Sequence, residues 1–247
     1  MKISVLTPSY NTGDHLDRAI QSVLKQKYKN WEHIIVDGQS SDNTVEVLKK
    51  YPHLKWISEP DQGQSDAMNK AFAMSTGDII VYLNADDWFE VGSFVKVVEK
   101  FEVSPDIDIV IGNYYMIKNG KKVVKTPPIE YEKILLHFIF GFPSNPVSYF
   151  YKREVQLKVG LFPIENHYTM DFWFLLNALR VKKATKIDAY LGYYSMSGTN
   201  KTSLIDPVRQ CRKVALMHIL KYRPLYIFKY ILKWYHHFYL YNVLHYS

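Results

Sequence analysis

In the first hundred residues, short continuous runs of hydrophobic residues alternate with segments whose hydrophobic residues would lie on one face of a helix. The apolar runs predict buried strands at Ile3–Thr7, Trp31–Asp37, Leu54–Ser58 and Ile79–Leu83. The segments between them predict helices over His15–Gln26, through Val45, Val47 and Leu48 with Asp42 as the cap, and over Ser65–Met74. Strands that alternate with helices predict a parallel sheet covered on both faces, with its loops gathered along one edge.

After the fourth strand the alternation loosens. A further short strand is predicted at Asp108–Gly112. Asn119-Gly120 lies between the strand-like runs Tyr114–Ile117 and Lys122–Val124, a strong hairpin signal. A helix through Ile134–Phe140 and the irregular segment 141–146 follow.

The loops at the predicted sheet edge carry small or acidic polar residues. They are Pro8–Asn11, Asp37–Ser41, Glu59–Asp66 and Asn84–Asp87. Open α/β sheets bind ligands at this edge, and the adjacent acids Asp86 and Asp87 repel each other unless a cation or hydrogen-bond donors hold them. A divalent metal with its phosphates is one interpretation. The alternative is that Asp86 caps a helix that begins at Asp87.

Four segments in this order resemble the family 2 glycosyltransferases, which have the A-type glycosyltransferase fold. The segments are Ser4–Asn11, Ile34–Thr44, Ser58–Ala73 and Asp78–Asp87, and the resemblance covers roughly residues 1 to 200. It implies an α/β fold with a mostly parallel, nucleotide-binding sheet flanked by helices. It also implies inverting, metal-dependent transfer of a sugar from a nucleotide-diphosphate donor, with a UDP-linked sugar favoured. The acceptor would be a glycan or polyprenyl-linked glycan in cell-surface polysaccharide synthesis.

The resemblance implies nucleotide contacts at the first two strand ends. The residues that would line the base and ribose are Thr7, Pro8, Tyr10 and Asn11. Asp37 would accept a hydrogen bond from the base, as the family's acid at this position does from a uracil N–H.

The resemblance also implies contacts with the diphosphate and the sugar. The residues that would begin the helix beside the diphosphate are Asp66, Asn69 and Lys70, although a solvated lysine is the plainer interpretation of Lys70. Asn84 and Asp86 would face the ribose and the sugar, and Asp87 would bind Mg²⁺ or Mn²⁺ between the phosphates. The family motif is often Asp-X-Asp, so the division of work between Asp86 and Asp87 stays open.

Asp171 matches the acid that the family places at a helix start as its general base. An inverting transfer is an in-line displacement, so a base must take the acceptor's proton on the face opposite the leaving diphosphate. Asp87 with its metal would stabilise the leaving diphosphate, and Asp171, without a metal and on the opposite face of the sugar, would accept the proton. The alternative for Asp171 is a helix cap ahead of the apolar run that starts at Phe172, and capping is compatible with catalysis.

Three other features are less specific. Asn145 stands where related sequences often have histidine, which leaves an acceptor role open. His167 is a candidate metal or phosphate ligand, with a structural histidine as the commoner alternative. The segment Ser195–Ser203, with Gly198 and Lys201, resembles a flexible family loop near the diphosphate and equally fits a plain surface loop.

Composition fits one α/β domain in a reducing compartment. The 247 residues are 47% hydrophobic, and the single cysteine, Cys211, excludes an internal disulfide. Lys2 leads straight into the first strand, so no signal peptide is expected. We predict a catalytic domain over residues 1–206, with a nucleotide-sugar half (1–112) and an acceptor half (113–206), and a helical extension over 207–247.

The extension carries the whole net charge of +7, because residues 207–247 hold seven basic residues and no acidic ones. Basic and aromatic side chains on one helix are typical of peripheral contact with an anionic membrane, here at its cytoplasmic face. The alternative is that the extension packs on the catalytic domain or on a second subunit of a homodimer. No nucleic-acid-binding module is recognisable.

Two other functions fit the sequence less well than the family resemblance. A sugar-phosphate nucleotidyltransferase would need a glycine-rich phosphate loop with a basic residue after the first strand, and Thr7–Gly13 lacks one. An inactive nucleotide-sugar-binding scaffold is disfavoured because Asp37, Asp87 and Asp171 are all present.

Overall fold

The structure, a computed structural model, describes residues 1–166, 168–196 and 207–246. Its strands are β1 (Ile3–Ser9), β2 (Trp31–Asp37), β3 (Lys55–Ser58), β4 (Ile79–Tyr82), β5 (Trp88–Phe89), β6 (Ile109–Lys118), β7 (Lys121–Lys125), β8 (Tyr149–Lys152) and β9 (Ala184–Met196). Over the described residues they form one nine-stranded sheet in the order β3-β2-β1-β4-β8-β6-β9-β5, with β7 beside β6.

Helices connect these strands and cover the sheet. They are α1 (Gly13–Leu24), α2 (Thr44–Lys49), α3 (Gln64–Met74), α4 (Ser93–Val103), α5 (Tyr131–Leu135), α6 (His137–Phe140), α7 (Arg153–Val159), α8 (Met170–Val181), α9 (Pro207–Tyr222) and α10 (Ile227–Tyr246). Short 3₁₀ turns span Pro146–Ser148 and Pro224–Tyr226.

The first half of the sheet, β3-β2-β1-β4, is parallel as the alternation predicts. Ser9 pairs with Asp37, the Gly38 N–H donates to the Ser9 carbonyl at 2.8 Å, and the Leu83 N–H donates to the Leu6 carbonyl at 2.9 Å. The carboxyl ends of β1, β2 and β4 therefore meet at one edge, and the polar loops gather there.

The second half of the sheet is mixed. β8 runs antiparallel to both β4 and β6, β9 runs parallel to β6, and β5 runs antiparallel to β9. The start of β8 and the end of β9 consequently reach the same edge as the carboxyl end of β4. The sequence analysis did not predict β5, β8, β9, α4 or α7.

Both faces of the sheet are covered, as predicted. One core packs α3, α7 and α8 on one face through residues that include Met68, Val155 and Phe174. The other packs α1 and α4 through residues that include Ala19, Val97 and Phe101. The fold is thus the predicted α/β sheet flanked by helices, with a helical C-terminal extension.

Several predicted boundaries shift. The first helix begins at Gly13, and the strand expected at 108–112 continues to Lys118 before the predicted hairpin. Asn119 and Gly120 have φ values of 50° and 72°, which a two-residue hairpin turn requires. The helix expected over 134–140 is interrupted at Leu136, with α5 before it and α6 after it. Asp42 precedes α2 and accepts a hydrogen bond from the Thr44 N–H at 3.0 Å.

The extension packs on the domain through α9. Cys211, Ala215 and Ile219 are buried against α5 and against Phe172 and Leu176 of α8, and α10 adds Tyr230 to this cluster. The packing alternative therefore holds for α9.

Among the described residues, no helix has the length and apolarity needed to cross a membrane.

Candidate active site

Asp37 ends β2 with a fully buried carboxylate that three donors hold. The Ser40 N–H donates to it at 3.0 Å, the Ser58 hydroxyl donates at 2.7 Å, and the Ser40 hydroxyl makes a third contact. These donors satisfy oxygens that burial removes from water. Asp37 fixes the loop after β2, and its contact with a base stays a prediction.

The loops after β1 and β2 are tied to each other. Asn11 has a φ of 50°, its N–H donates to the Ser40 hydroxyl at 2.7 Å, and its side-chain oxygen accepts from the Ser41 N–H at 2.9 Å. Tyr10, next to Asn11 in the loop after β1, is 64% exposed.

Thr7 and Pro8 lie deeper in the sheet. Both residues are buried, and the Thr7 hydroxyl is 2.9 Å from Nε2 of the buried His33. Burial lowers the pKa of His33 to about 3, with a smaller contribution from His53, so this ring is neutral. The structure thus sets Thr7 and Pro8 beneath the exposed Tyr10 and Asn11, and their nucleotide contacts stay predictions.

The predicted diphosphate residues on α3 already have protein partners. Asn69 is buried, and its amide exchanges two 2.9 Å hydrogen bonds with the backbone of Phe162. The Lys70 ammonium is 2.9 Å from the Glu59 carboxylate and 3.4 Å from the Asp66 carboxylate. Contact of Lys70 with a diphosphate would therefore require it to exchange these ion pairs.

The Asp86-Asp87 turn does not begin a helix. β5 follows at Trp88, and the next helix starts at Ser93, so the alternative in which Asp86 caps a helix from Asp87 is wrong. The Asp86 carbonyl accepts a 3.0 Å hydrogen bond from the Arg18 guanidinium, which lies 3.7 Å over the Trp88 ring.

Asp87 is fully buried in a cradle of three donors from three parts of the chain. The Asn84 and Asn145 amides donate to Oδ2 at 2.9 and 2.7 Å, and the Ser195 N–H donates to Oδ1 at 2.8 Å. Burial, and then the charge of Asp86, raise the pKa of Asp87 to about 8 although all three donors lower it. A positive charge placed beside this carboxylate would therefore favour its ionised form.

This arrangement fits a divalent cation that takes most of its ligands from a bound diphosphate. Mg²⁺ in nucleotide sites is commonly held by one or two carboxylates together with substrate phosphates. Asp86 and Asp87 would supply such a pair, and a cation beside them would offset both the burial and the Asp86 charge that raise the pKa of Asp87. Within the described residues no group of three or more His, Cys, Asp or Glu side chains could hold a metal without a substrate.

Asp171 lies in the first turn of α8, where the helix dipole favours a carboxylate. The Tyr149 hydroxyl donates to its Oδ1 at 2.5 Å. Burial raises the pKa of Asp171 to about 6, and this hydrogen bond opposes the rise. A carboxyl with a pKa near neutrality is suited to take a proton from a hydroxyl at physiological pH.

Three residues around the acids carry little signal in the sequence. Asn145 stands out there only as a departure from related sequences, and Ser195 only as the start of a loop. Tyr149 carries no local signal, because an aromatic residue in an apolar run predicts core. His167 and residues 197–203, with Gly198 and Lys201, lie outside the described residues.

Comparison with known sequences decides the family. The sequence model of "Glycosyl transferase family 2" matches residues 4–164, more than half of the chain. The chain belongs to this family. The predicted family 2 glycosyltransferase is therefore confirmed.

The chain is also similar to a named enzyme in sequence and to two solved structures in fold. The named enzyme is Escherichia coli UDP-Glc:alpha-D-GlcNAc-diphosphoundecaprenol beta-1,3-glucosyltransferase WfgD. This chain is 27% identical to it over 199 residues, which cover 74% of this chain and 78% of WfgD. The fold of this chain matches Staphylococcus aureus TarS 1–349, solved with UDP-GlcNAc, with a TM-score of 0.70 at 18% identity over 89% of this chain and 67% of that one. It also matches the Pyrobaculum calidifontis mannosyltransferase PcManGT, solved with GDP-Man and Mn²⁺, with a TM-score of 0.62 at 18% identity over 89% and 63%.

The match in length differs among relatives. The chain spans 66% of one curated glycosyltransferase relative and 18% of another, against the 78% of WfgD.

Proposed function

We propose that this family 2 member transfers a sugar, with inversion, from a UDP-linked donor to a lipid-linked glycan during cell-surface polysaccharide synthesis. The observation that carries the proposal is that Asp37 and the Asp86-Asp87 turn follow β2 and β4, the two strands that flank β1, at the same edge of the sheet. Residues 1–112 would hold the donor, residues 113–206 would form the acceptor side, and residues 207–247 would be an extension.

The donor would lie across the ends of β1, β2 and β4. Asp37 would accept a hydrogen bond from the base, beside the exposed Tyr10 and Asn11, while Asn84 and Asp86 would face the ribose and sugar. A uracil base is favoured because WfgD is named for UDP-Glc and TarS was solved with UDP-GlcNAc. Asp66, Asn69 and Lys70 would flank the diphosphate from α3.

Asp87, with Asp86 beside it, would hold Mg²⁺ or Mn²⁺ on the diphosphate, as the Mn²⁺ in PcManGT suggests. When bound, such a cation stabilises the negative charge that develops on the leaving diphosphate. Asn84, Asn145 and the Ser195 N–H would fix the orientation of the Asp87 carboxylate.

Asp171 would act as the base. The acceptor hydroxyl attacks the anomeric carbon as the bond to the diphosphate breaks, and its proton passes to the Asp171 carboxylate. The acid and the leaving group must then lie on opposite faces of the sugar, which is why the product would have the inverted anomeric configuration.

A panel of nucleotide sugars tests the donor. We expect UDP-linked sugars with Mn²⁺ to raise the melting temperature by several degrees at concentrations well above Kd, since a ligand at about 100 times its Kd stabilises by about 2.7 kcal/mol. Asp37→Asn should lose most of this shift, because it replaces one carboxylate oxygen with an NH2 donor and leaves a single oxygen for which Ser40, Ser58 and the base N–H would compete. Differential scanning fluorimetry measures both.

Asp106→Asn is the matched control, because this carboxylate is exposed and pairs only with Lys183 among the contacts described for it. It should keep the full shift. Stabilisation by GDP-linked but not UDP-linked sugars would exclude the uridine donor, and the absence of any shift across the panel would exclude a sugar-nucleotide site.

We also propose that the extension contacts an anionic membrane at the cytoplasmic face, where a lipid-linked acceptor would lie. In α10 and the turn before it, the apolar or aromatic side chains that are between 51% and 89% exposed are Leu225, Phe228, Ile231, Leu232, Tyr235, Phe238 and Tyr239. A homodimer through this surface would bring two strongly basic extensions together, whereas an anionic lipid surface would complement them.

Deleting the residues after Pro224 tests this proposal while sparing most of the α9 packing. We expect the truncated protein to bind UDP-sugar normally but to lose sedimentation with anionic vesicles and turnover on a long lipid-linked acceptor. Full-length binding should weaken with salt, because each basic residue near the surface contributes on the order of 1 kcal/mol at low screening.

A second variant, Lys229→Gln/Lys233→Gln, removes two positive charges and keeps the apolar surface. It should weaken binding to anionic vesicles and leave a short soluble acceptor fully glycosylated. Aggregation of the truncated chain, or a change from dimer to monomer with vesicle binding unaltered, would assign α10 to the core or to a subunit interface instead.

A further inference from the structure

We propose that Tyr149 is the positioning residue of the reaction: its hydroxyl holds Oδ1 of Asp171 and so leaves Oδ2 to receive the acceptor's proton. This inference rests on the proposed base role of Asp171. It assigns different tasks to the two oxygens of one carboxylate, and it gives a function to a buried tyrosine that no sequence motif marks.

The geometry is rigid on both sides of the hydrogen bond. Tyr149 is the first residue of β8, is fully buried, and pairs with Ile111 of β6. Asp171 lies in the first turn of α8, whose Phe174 and Leu175 are buried in the core on the same face of the sheet. The 2.5 Å hydrogen bond thus joins a central strand to a packed helix, so the carboxylate plane is fixed by two elements rather than by a loop.

Two other buried tyrosines flank this contact, and their hydroxyls have other acceptors. Tyr82 donates to the Met68 carbonyl at 3.2 Å, and Tyr151 donates to Oε1 of Gln156 at 2.7 Å. The charge of Asp171 contributes to raising the pKa of all three tyrosines, after burial as the largest cause. The titratable and charged groups that bear on this cluster in the described residues are these tyrosines, Asp171 and Arg153, which acts on Tyr82.

Tyr149 therefore acts as a fixed donor and not as an acid. Its pKa lies well above the ordinary tyrosine value, so it keeps its proton throughout the working pH range. By donating to Oδ1 it stabilises the ionised carboxylate against the effect of burial. The proton from the acceptor hydroxyl then moves to Oδ2, and it leaves to solvent before the next turnover.

The test is Tyr149→Phe, which deletes one oxygen and keeps the ring. We expect the acid limb of the pH profile of kcat to move upward by about one pH unit, the scale of a lost hydrogen bond to a charged group. The KM for the donor should stay unchanged. The ¹³Cγ titration of Asp171 should show the same upward shift, and this readout does not depend on turnover.

Tyr151→Phe is the matched control, because it removes the same hydroxyl from the same strand at the same burial but breaks a contact with Gln156. It should leave the pH profile and the ¹³Cγ titration in place. Equal shifts in both variants would overturn the inference, since general loosening of the core would then explain them.

Incorporating 3-fluorotyrosine at position 149 tests the same contact without deleting it. The fluorine makes the hydroxyl a stronger donor, so the acid limb and the ¹³Cγ titration should both move downward. No movement in either readout would overturn the proposal even if Tyr149→Phe fails to fold. Unimpaired transfer by Asp171→Asn together with a shifted ¹³Cγ titration in Tyr149→Phe would instead refute the base assignment and leave the hydrogen-bond contact established.

Discussion

Replacing Asp87 with alanine is expected to abolish both metal-dependent donor binding and sugar transfer. Asp87 is the carboxylate that three donors orient at the end of β4, and Asp86 alone would offer a cation one carboxylate. Transfer should become undetectable, and Mn²⁺ titrations followed by electron paramagnetic resonance should lose the site seen with UDP-sugar present. The wild-type enzyme should show the same loss of activity when a chelator is added.

The loss should be confined to the site. Removing a buried carboxylate whose charge is opposed by Asp86 relieves repulsion, which offsets the amides of Asn84 and Asn145 that lose their acceptor. We expect a melting temperature without ligand close to that of the wild type. Asp106→Ala, at an exposed carboxylate, is the control and should retain activity and metal binding. Full wild-type activity in excess chelator would exclude a metal.

Replacing Asp171 with asparagine is expected to lower the transfer rate by roughly 10²-fold or more, the usual scale for loss of a general base. Asparagine keeps the shape of the side chain, and its oxygen can still accept from Tyr149. Donor affinity should therefore stay within a few-fold of wild type. Single-turnover transfer and UDP-sugar titration separate the two effects.

The pH dependence of the transfer rate is a second test of the base role of Asp171. Because the pKa of Asp171 is raised to about 6, the wild-type carboxylate ionises as the pH rises through that value. The wild-type rate should thus rise from about pH 5 to about pH 7 and then level, and the residual rate of Asp171→Asn should lack this limb. Proton NMR of the product should show the inverted anomeric configuration; a retained one would refute the mechanism.

The sequence by itself determined the first half of the fold. Four apolar runs with one-sided helices between them encode β1 to β4 and α1 to α3 locally, because strand and helix periods are properties of contiguous residues. It also determined the family, since the segments that carry the resemblance lie directly at the ends of these strands. Asp37 and the Asp86-Asp87 turn follow from the same logic.

Only the tertiary structure decided what holds the two acids. β8 is inserted antiparallel between β4 and β6, and this reversal brings Asn145 to Asp87 and Tyr149 to Asp171 across 58 and 22 residues of chain. Neither contact has a periodicity or a spacing in the sequence. The same holds for α9, which buries Cys211 against α8, and for α10, which buries Tyr230 in the same cluster and leaves most of its other described apolar side chains exposed. Long-range pairing is fixed by which surfaces can be buried together, and no local stretch of sequence records that choice.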